Sequence, residues 1–405
     1  MRRGRAKKGI LLLITLLMIS LIAGCGGQEN KPKAEQQEAD VIKIGGNYEL
    51  SGQVATFGNS AKNGINLYFE EVNAKGGVLG KKIEFICLDN KSEATEAANV
   101  ALRLINQDKV VAILGAITSG NTMGFSQIGM DNKIPIMTTG GTNPDVTVDP
   151  NTGKVREYVF RSVFIDPFQG TVMATFATKT LGAKTAAVYV ENNSPYSKGL
   201  ADFFVKAFEE QGGKIVAKEA FLTEDQDFSA TLTKIKSLKP DVIYVPAYYE
   251  QVGKIVKQGR DLGITVPFMG GDGWDSPKLI EIAGAKALNG TYFSNHYSPD
   301  SQDPIVQEFV QKYKAKYNNE TPDALAALAY DAAILMVKAI EQAGSAEPEK
   351  IKDALVSLKD VQAVTGKYTF DANHNPVKGA AILELKDGKQ GFKVQINPYS
   401  NLILK

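Results

Sequence analysis

The chain has 405 residues, of which 43% belong to the hydrophobic set and 22% are charged. This composition is typical of a folded globular protein and excludes a disordered or fibrous one. At about 100 to 200 residues per domain, the length predicts two domains. Lysine and arginine (46) nearly balance aspartate and glutamate (45), so the chain lacks a basic field and we expect no nucleic-acid partner.

The amino terminus has the pattern of a secretory signal, because basic residues precede an apolar run from Ile10 to Ala23. A helix of this length reaches about 21 Å, less than the ~30 Å core of a bilayer, which favours a signal peptide over a membrane span. The run ends in Leu21-Ile22-Ala23-Gly24-Cys25 and resembles a bacterial lipobox. The resemblance implies a lipoprotein signal peptide over residues 1–24 and a lipid on Cys25; a plain secretory signal is the alternative.

Residues 25–40 are rich in Gln, Glu and Lys and have no aliphatic residue larger than Ala, which is typical of a flexible, solvated tether. The only other cysteine is Cys87, within the apolar stretch Ile83–Leu88. With Cys25 lipidated no intramolecular disulfide can form, and we interpret Cys87 as a small buried hydrophobe.

From residue 41 onward, short apolar runs alternate with segments of helical periodicity. The predicted strands are 41–45, 82–88, 110–114, 134–137, 158–164, 185–190, 214–218, 241–246, 267–269, 367–370, 380–386 and 392–396. The predicted helices include 169–181, 197–211, 228–238, 251–262, 304–317 and 322–342, and the apolar spacing of Ala61 to Val72 predicts an earlier one. Continuous apolar strands joined by helices predict an α/β fold with two doubly wound parallel-sheet lobes.

Catalytic motifs are scarce. The sequence has no phosphate-binding loop, no H-E-x-x-H and no G-x-S-x-G, and its two histidines, His296 and His374, lie 78 positions apart. The segment Asp371–Asn375 imitates the start of a calcium loop, but Pro376 stands where that loop needs glycine, so we interpret it as a polar turn. We therefore expect neither an enzyme nor a bound metal or cofactor.

Small polar residues follow the strands of the first series, where ligands lie in open α/β sheets. Gly115–Thr122 and Thr138–Pro144 each bring hydroxyl groups and glycine to a position where a helix should start. Free N–H groups and hydroxyls there favour a carboxylate or phosphate. The alternative is that Ser119 and Thr142 only cap helices.

In the second series, strand ends carry Tyr248-Tyr249-Glu250 and Gly270-Gly271-Asp272-Gly273-Trp274. An acid between glycines can approach a ligand closely, and tyrosine offers a hydroxyl group or a ring face for a cation. Asp272 could equally be a solvated turn residue. An anion site in one lobe and an acid in the other would suit a zwitterion.

Together these segments resemble the solute-binding proteins of branched-chain amino acid ABC importers, which have the type I periplasmic-binding fold. The resemblance covers nearly all of the chain from Val41, and four segments in order carry it: Leu50–Gly58, Asn73–Gly80, Gly115–Thr122 and Phe268–Gly273. It implies three crossovers between the lobes, near Arg161, His296 and Thr365. Lobe 1 is then 41–161 plus 296–365, and lobe 2 is 162–295 plus 366–405.

The resemblance also implies roles for single residues. Ser119, the Gly140 backbone and Thr142 match the carboxylate-binding positions, and Tyr248 and Gly140 lie near the ammonium group. Asp272 matches the acid that pairs with the ammonium group, although the best-known members have Glu there. Phe57, Tyr196 and Trp274 match positions around the apolar part of the ligand, and Leu325 stands where an aromatic ring is usual.

The implied function is an extracytoplasmic, lipid-anchored receptor that closes around an L-amino acid with a branched or apolar side chain. Its expected partners are that amino acid, the permease subunits of an ABC importer and, through the lipid, the membrane; a monomer is expected. Two alternatives stay open. One is a receptor of the same fold for another small carboxylate, amide or aromatic acid, and the other is a sensor without transport.

Overall fold

The computed structural model describes residues 41–396. The signal peptide 1–24, Cys25, the tether 25–40 and the last part of the predicted lobe 2 lie outside the described residues. The strands are β1 Ile42–Tyr48, β2 Ile83–Asp89, β3 Ala112–Gly115, β4 Ile136–Thr138, β5 Val159–Arg161, β6 Thr185–Glu191, β7 Lys214–Phe221, β8 Val242–Tyr244, β9 Phe268–Gly270, β10 Thr291–Asn295, β11 Val361–Ala363, β12 Gly366–Tyr368, β13 Ala380–Lys386 and β14 Lys389–Ile396.

Helices connect these strands. They are α1 Ala55–Ala74, α2 Ala94–Asn106, α3 Ser119–Asn132, α4 Asp166–Thr175, α5 Pro195–Glu210, α6 Ser229–Ser237, α7 Tyr249–Asp261, α8 Pro277–Ala283, α9 Pro304–Lys316, α10 Ala324–Ala343 and α11 Pro348–Ser357. Among residues 41–396, none of these helices is both long enough and apolar enough to cross a membrane.

Two open sheets organise the molecule. The first has the order β2-β1-β3-β4-β5 and is parallel throughout. The second has the order β14-β13-β10-β9-β8-β6-β7, in which β6 to β10 are parallel and β13 and β14 are antiparallel to their neighbours. The predicted fold class, two doubly wound parallel-sheet lobes, is confirmed. We call the part built on the first sheet lobe 1 and the part built on the second lobe 2.

The chain passes between the two sheets three times within the described residues. It leaves the first sheet after β5, returns from the second sheet after β10 and passes back between β12 and β13. We call these three passages the hinge. Lys378 donates to the Ser162 carbonyl at 3.0 Å and to the Tyr368 hydroxyl at 2.6 Å, which ties two of the passages together. The exact residue bounds of the lobes stay a prediction.

Helix α10 covers the first sheet and is buried on nearly every side, which is what an apolar sequence of Ala and Leu dictates. Its contact with α1 is very close. A Cβ atom at Gly64 would lie 2.1 Å from the carbonyl oxygen of Ala326, so only glycine fits there. The contact fixes α1, whose first turn carries Phe57, against the rest of lobe 1.

Three features differ from the expectations, and a fourth confirms one. The sequence reading missed β10, and α1 begins at Ala55 rather than near Ala61. Cys87 is half-buried rather than buried, and its surroundings raise the thiol pKa to about 12 through desolvation. The segment Asp371–Asn375 is a polar turn as predicted, with the Asp371 carboxylate accepting from the N–H groups of Asn373 and Asn375 at 2.8 Å.

Candidate functional site

A narrow cavity lies where the two lobes meet. Its lining comes from both: Phe57, Ile117, Gly140 and Leu325 from lobe 1, and Tyr196, Tyr248, Asp272 and Gly273 from lobe 2. These residues converge because β3 and β4 end just before Ile117 and Gly140, while β8 and β9 end just before Tyr248 and Asp272. The carboxyl ends of parallel strands share one edge of a sheet, so both sheets present their loops to the cavity.

Glu49 fixes the loop after β3. It is fully buried, and its carboxylate accepts from the N–H groups of Ile117 at 3.1 Å and Thr118 at 3.0 Å, and from the Asn121 amide at 2.9 Å. Burial raises the Glu49 pKa despite these bonds. Thr118 caps α3 by accepting from the Asn121 N–H at 3.2 Å. The start of α3 is therefore held in one conformation.

Arg161 holds the loop after β4. Its guanidinium, fully buried, donates to the carbonyl groups of Gly141 at 2.7 Å and Asn143 at 3.0 Å, and to the Thr147 hydroxyl at 3.0 Å. Burial lowers the Arg161 pKa to about 10. The sequence reading placed Arg161 only at a crossover and missed this role, because nothing in the sequence shows which carbonyl groups it meets.

Ser119 and Thr142 are not among the residues that line the cavity. Both are buried, with 1% and 0% of their surface exposed, and Ser119 Oγ accepts from the Asn143 N–H at 3.2 Å. The Thr142 side chain neighbours the buried carboxyl group of Asp166 and lowers its pKa by hydrogen bonding. Thr118, not Ser119, is the capping residue, so the capping alternative fails for Ser119. Their carboxylate-binding role stays a prediction.

Asp272 is the charged group of the cavity. Its Oδ1 accepts from the Tyr196 hydroxyl at 2.9 Å, its Oδ2 lies 3.0 Å from Nε2 of His296, and its N–H donates to Oε1 of Gln169 at 2.8 Å. Only 8% of the residue is exposed, which argues against the solvated-turn alternative. Gln169 and His296 are site residues that the sequence reading missed.

A second acid lies close behind Asp272. Asp166, at the start of α4, is fully buried, and its carboxyl group has the side chains of Thr142 and Gln169 as hydrogen-bonding neighbours. Burial raises the Asp166 pKa to about 8, and the negative charge of Asp272 adds to the effect. At neutral pH Asp166 is therefore mainly protonated, which leaves Asp272 as the acid available to a cation.

Aromatic rings make up much of the remaining wall. The rings of Tyr196 and Tyr248 stack with centroids 5.0 Å apart, and Phe57 meets Tyr248 edge-on at 6.1 Å. Burial raises the pKa values of both tyrosines well above the ordinary value, so their hydroxyl groups stay neutral. No lysine or arginine is among the residues that line the cavity.

The position of Trp274 differs from the expectation. We expected it around the apolar part of a ligand, but it is not among the residues that line the cavity. The side chain is fully buried, its indole N–H donates to the Val245 carbonyl at 2.9 Å, and its ring packs near Phe293. The turn Asp272–Trp274 directs the acid toward the cavity and the indole into the core of lobe 2.

The lobes touch around the cavity. Thr56 Oγ1 lies 2.9 Å from Ser276 Oγ, the Tyr249 hydroxyl donates to the Gln53 carbonyl at 3.1 Å, and the Asn143 amide donates to the Pro195 carbonyl at 3.0 Å. Each bond joins one lobe to the other. The structure therefore represents the closed arrangement.

The described residues contain no group of three or more His, Cys, Asp or Glu side chains that could hold a metal ion.

The comparison with known families is consistent with the cavity and the hinge. The sequence profile described as "periplasmic binding protein" matches residues 41–390. The chain belongs to the periplasmic binding protein family.

Relatives of this periplasmic binding protein carry amino-acid names. The Leu/Ile/Val-binding protein BraC3 of Rhizobium johnstonii is 32% identical over 330 residues, which are 81% of this chain and 87% of the relative. The leucine-, isoleucine-, valine-, threonine- and alanine-binding protein of Pseudomonas aeruginosa is 29% identical over 90% of this chain and 93% of its own.

Solved structures agree with the fold. The leucine-binding protein LivK of Thermotoga maritima superposes with a TM-score of 0.83 at 40% identity, covering 88% of this chain and 99% of the other. The branched-chain amino acid transporter substrate-binding protein LivJ of Streptococcus pneumoniae, in complex with isoleucine, gives a TM-score of 0.82 at 38% identity over 88% and 99% of the chains.

Proposed function

We propose that this periplasmic binding protein is the substrate receptor of an ABC importer for an L-α-amino acid with an apolar side chain. The observation that carries the proposal is the cavity itself, in which one acid, Asp272, stands among aromatic and aliphatic walls. A buried carboxylate needs a cationic partner, and the ammonium group of an amino acid supplies one. The amino-acid names of the relatives support the same class.

The opposite end of the ligand is assigned to lobe 1. Ser119 begins α3, and the positive end of a helix together with free hydroxyl groups favours a carboxylate. Within the described range, the N–H groups of Ser119 and Thr142 have no protein acceptor. A ligand whose carboxylate binds lobe 1 and whose ammonium group binds lobe 2 would bridge the two lobes.

The side chain of the ligand would pack on the rings of Phe57, Tyr196 and Tyr248 and on Leu325. Because no lysine or arginine lines the cavity, an acidic side chain would be buried without a counter-ion, which is costly. No bond is made or broken. The ligand selects the closed arrangement of the lobes, and that arrangement docks on the permease.

Calorimetry on the purified protein tests this function. Leucine, isoleucine or valine should bind, and glutamate should bind more weakly than any of them. A receptor for another carboxylate would instead bind benzoate or 4-methylpentanoate more tightly than leucine. That result, or tight glutamate binding, would overturn the amino-acid assignment.

We also propose that a lipid on Cys25 holds the receptor at the outer face of the membrane. The support is the sequence alone, a basic and apolar segment that ends in Leu21–Cys25 and is followed by a polar tether. Cys25→Ser should release the protein into the medium or leave uncleaved precursor. Fatty-acid labelling of the variant at the wild-type level would contradict the anchor.

A further inference from the structure

His296 lies behind Asp272 in a position that the amino-acid site alone does not explain. Its side chain is 1% exposed and its Nε2 is 3.0 Å from Oδ2 of Asp272. It follows β10 directly, at the second passage between the lobes. Its ring stacks on Phe164 with a centroid distance of 3.7 Å, and Phe164 comes just after the first passage. Residues of the hinge therefore hold the acid of the cavity.

The hydrogen bonds define the form of the imidazole. Nδ1 has no partner within residues 41–396, and an N–H group there would be a buried donor without an acceptor. Burial lowers the His296 pKa, although the bond to Asp272 acts in the other direction. Both observations favour a neutral ring whose single N–H, on Nε2, donates to Asp272.

Other charged groups act on this ring from neighbouring elements. Lys378 lowers the His296 pKa, while Asp275 and Asp272 raise it. Lys378 is itself fully buried, and its own pKa is lowered to about 7. Burial is the largest effect on the charge of the ring, and the contact with Asp272 sets which nitrogen carries the proton.

We infer that His296 is a positioning residue for ligand binding: by donating to one oxygen of Asp272, while Tyr196 donates to the other, it fixes the carboxylate in the orientation that meets the ligand ammonium group. The inference rests on the proposed amino-acid function. Because both oxygens of Asp272 already have donors, its side chain loses less rotational freedom when the ligand binds.

Three variants of the full chain test this role. His296→Leu removes the donor, while His296→Gln keeps an N–H group at the end of the side chain. His374→Leu is the matched control, because His374 is also buried and stacked on a phenylalanine, Phe160, but its Nδ1 donates to the Val159 carbonyl at 3.0 Å instead of to an acid. Calorimetry with leucine and unliganded melting temperatures are measured for each.

His296→Leu should weaken leucine binding by about 10- to 100-fold, the range of a hydrogen bond to a charged group. His296→Gln should recover most of that loss, and His374→Leu should bind leucine as the wild type does. Equal affinity of His296→Leu and wild type would overturn the inference. If His296→Leu and His296→Gln lose the same amount of affinity for leucine, the inference is also overturned, because the ring of His296 would then act by packing alone.

A measurement on the wild type keeps the inference testable if a variant does not fold. The chain has two histidines, so nitrogen-15 NMR of histidine-labelled protein gives two rings to assign. At pH 7 to 8 the His296 ring should be neutral with its proton on Nε2, and leucine should shift its signals but not those of His374. A His296 ring that titrates near pH 6.5 and ignores leucine would refute the role. If leucine does not bind the wild type at all, the proposed function fails instead.

Discussion

Single residues decide the chemistry of this cavity, and Asp272 shows how far the sequence leads. Its place between glycines at a strand end predicted a ligand-facing acid, and the structure puts it in the cavity wall. Its partners Gln169 and His296 lie 103 and 24 positions away in the chain. Only the folded sheet brings them together, so no local pattern could have shown them.

The error over Trp274 has a simple physical cause. In a tight turn, residues two positions apart can point to opposite sides, and sequence position alone does not say which side is the cavity. Asp272 turns toward the lobe interface, while Trp274 finds its hydrogen-bond acceptor, Val245, inside lobe 2. A buried indole satisfied in this way favours the core.

This location predicts the fluorescence of the only tryptophan. Trp274 contacts Val245 and Phe293, which both belong to lobe 2. Closure of the lobes should therefore change its surroundings little. The emission maximum should lie at short wavelength both without and with leucine. A shift to longer wavelength in the unliganded protein, or a large intensity change that saturates with calorimetric binding, would contradict the core position.

Asp166 makes the stability depend on pH. Its pKa rises to about 8 in the folded state, so the folded state binds a proton that the unfolded state releases near pH 4. Stability from this group is therefore complete below pH 4 and is lost as pH rises through about 8.

Asp166→Asn removes this titration. From pH 6 to pH 9 the wild type should lose about 3 kcal/mol of unfolding free energy relative to the variant. Urea unfolding of both proteins at the two pH values gives the difference, which also cancels the contribution of Lys378. A difference that is the same at both pH values would show that Asp166 does not titrate between pH 6 and pH 9 and would contradict this prediction.

Most of the strands and helices could be predicted from the sequence. Apolar runs and helical periodicity located the strands of the first sheet and all but one of the second. The exception, β10, is a five-residue strand of mixed polarity, TYFSN. It is a strand because β9 and β13 supply partners on both sides, which is a tertiary effect invisible to a local pattern.

The two loops of lobe 1 depend on buried charges that the sequence reading did not connect to them. Arg161 donates to three oxygen atoms of the loop after β4. Arg161→Met leaves those acceptors unpaired, so the free energy of unfolding should fall by about 2 to 4 kcal/mol. Leucine affinity should fall as well, because Thr142 lies in this loop.

Arg103→Met is the matched control for this variant. Arg103 lies on α2 with more than half of its side chain exposed and pairs with Asp108 at 3.6 Å, so its loss should change the unfolding free energy by less than about 0.5 kcal/mol. Urea unfolding compares the two variants. Similar losses in both would mean that the carbonyl groups near Arg161 find other donors.

Closure of the two lobes depends on hydrogen bonds that join them. The bond from the Tyr249 hydroxyl to the Gln53 carbonyl joins the lobes at 3.1 Å. It exists only when the lobes meet, so Tyr249→Phe should weaken leucine binding by about two- to tenfold without lowering the melting temperature of the unliganded protein.

Tyr292→Phe serves as the control, since the Tyr292 hydroxyl donates to Glu384 within lobe 2 at 3.2 Å. Leucine affinity of this variant should equal that of the wild type. Calorimetry and thermal unfolding of both variants separate closure from stability. If Tyr249→Phe binds leucine normally, the interlobe bond contributes nothing to the closed state.

The central claim is that Asp272 pairs with the ammonium group of an amino acid held between the lobes. The most direct measurement is the calorimetric dissociation constant of Asp272→Asn for leucine and for 4-methylpentanoate, which lacks the ammonium group, with wild type alongside. Losing one partner of a buried charge pair costs roughly 2 to 5 kcal/mol, so leucine should bind about 30-fold to several thousand-fold more weakly, while 4-methylpentanoate should not lose affinity. Unaltered leucine affinity in a variant that melts like the wild type would contradict the claim.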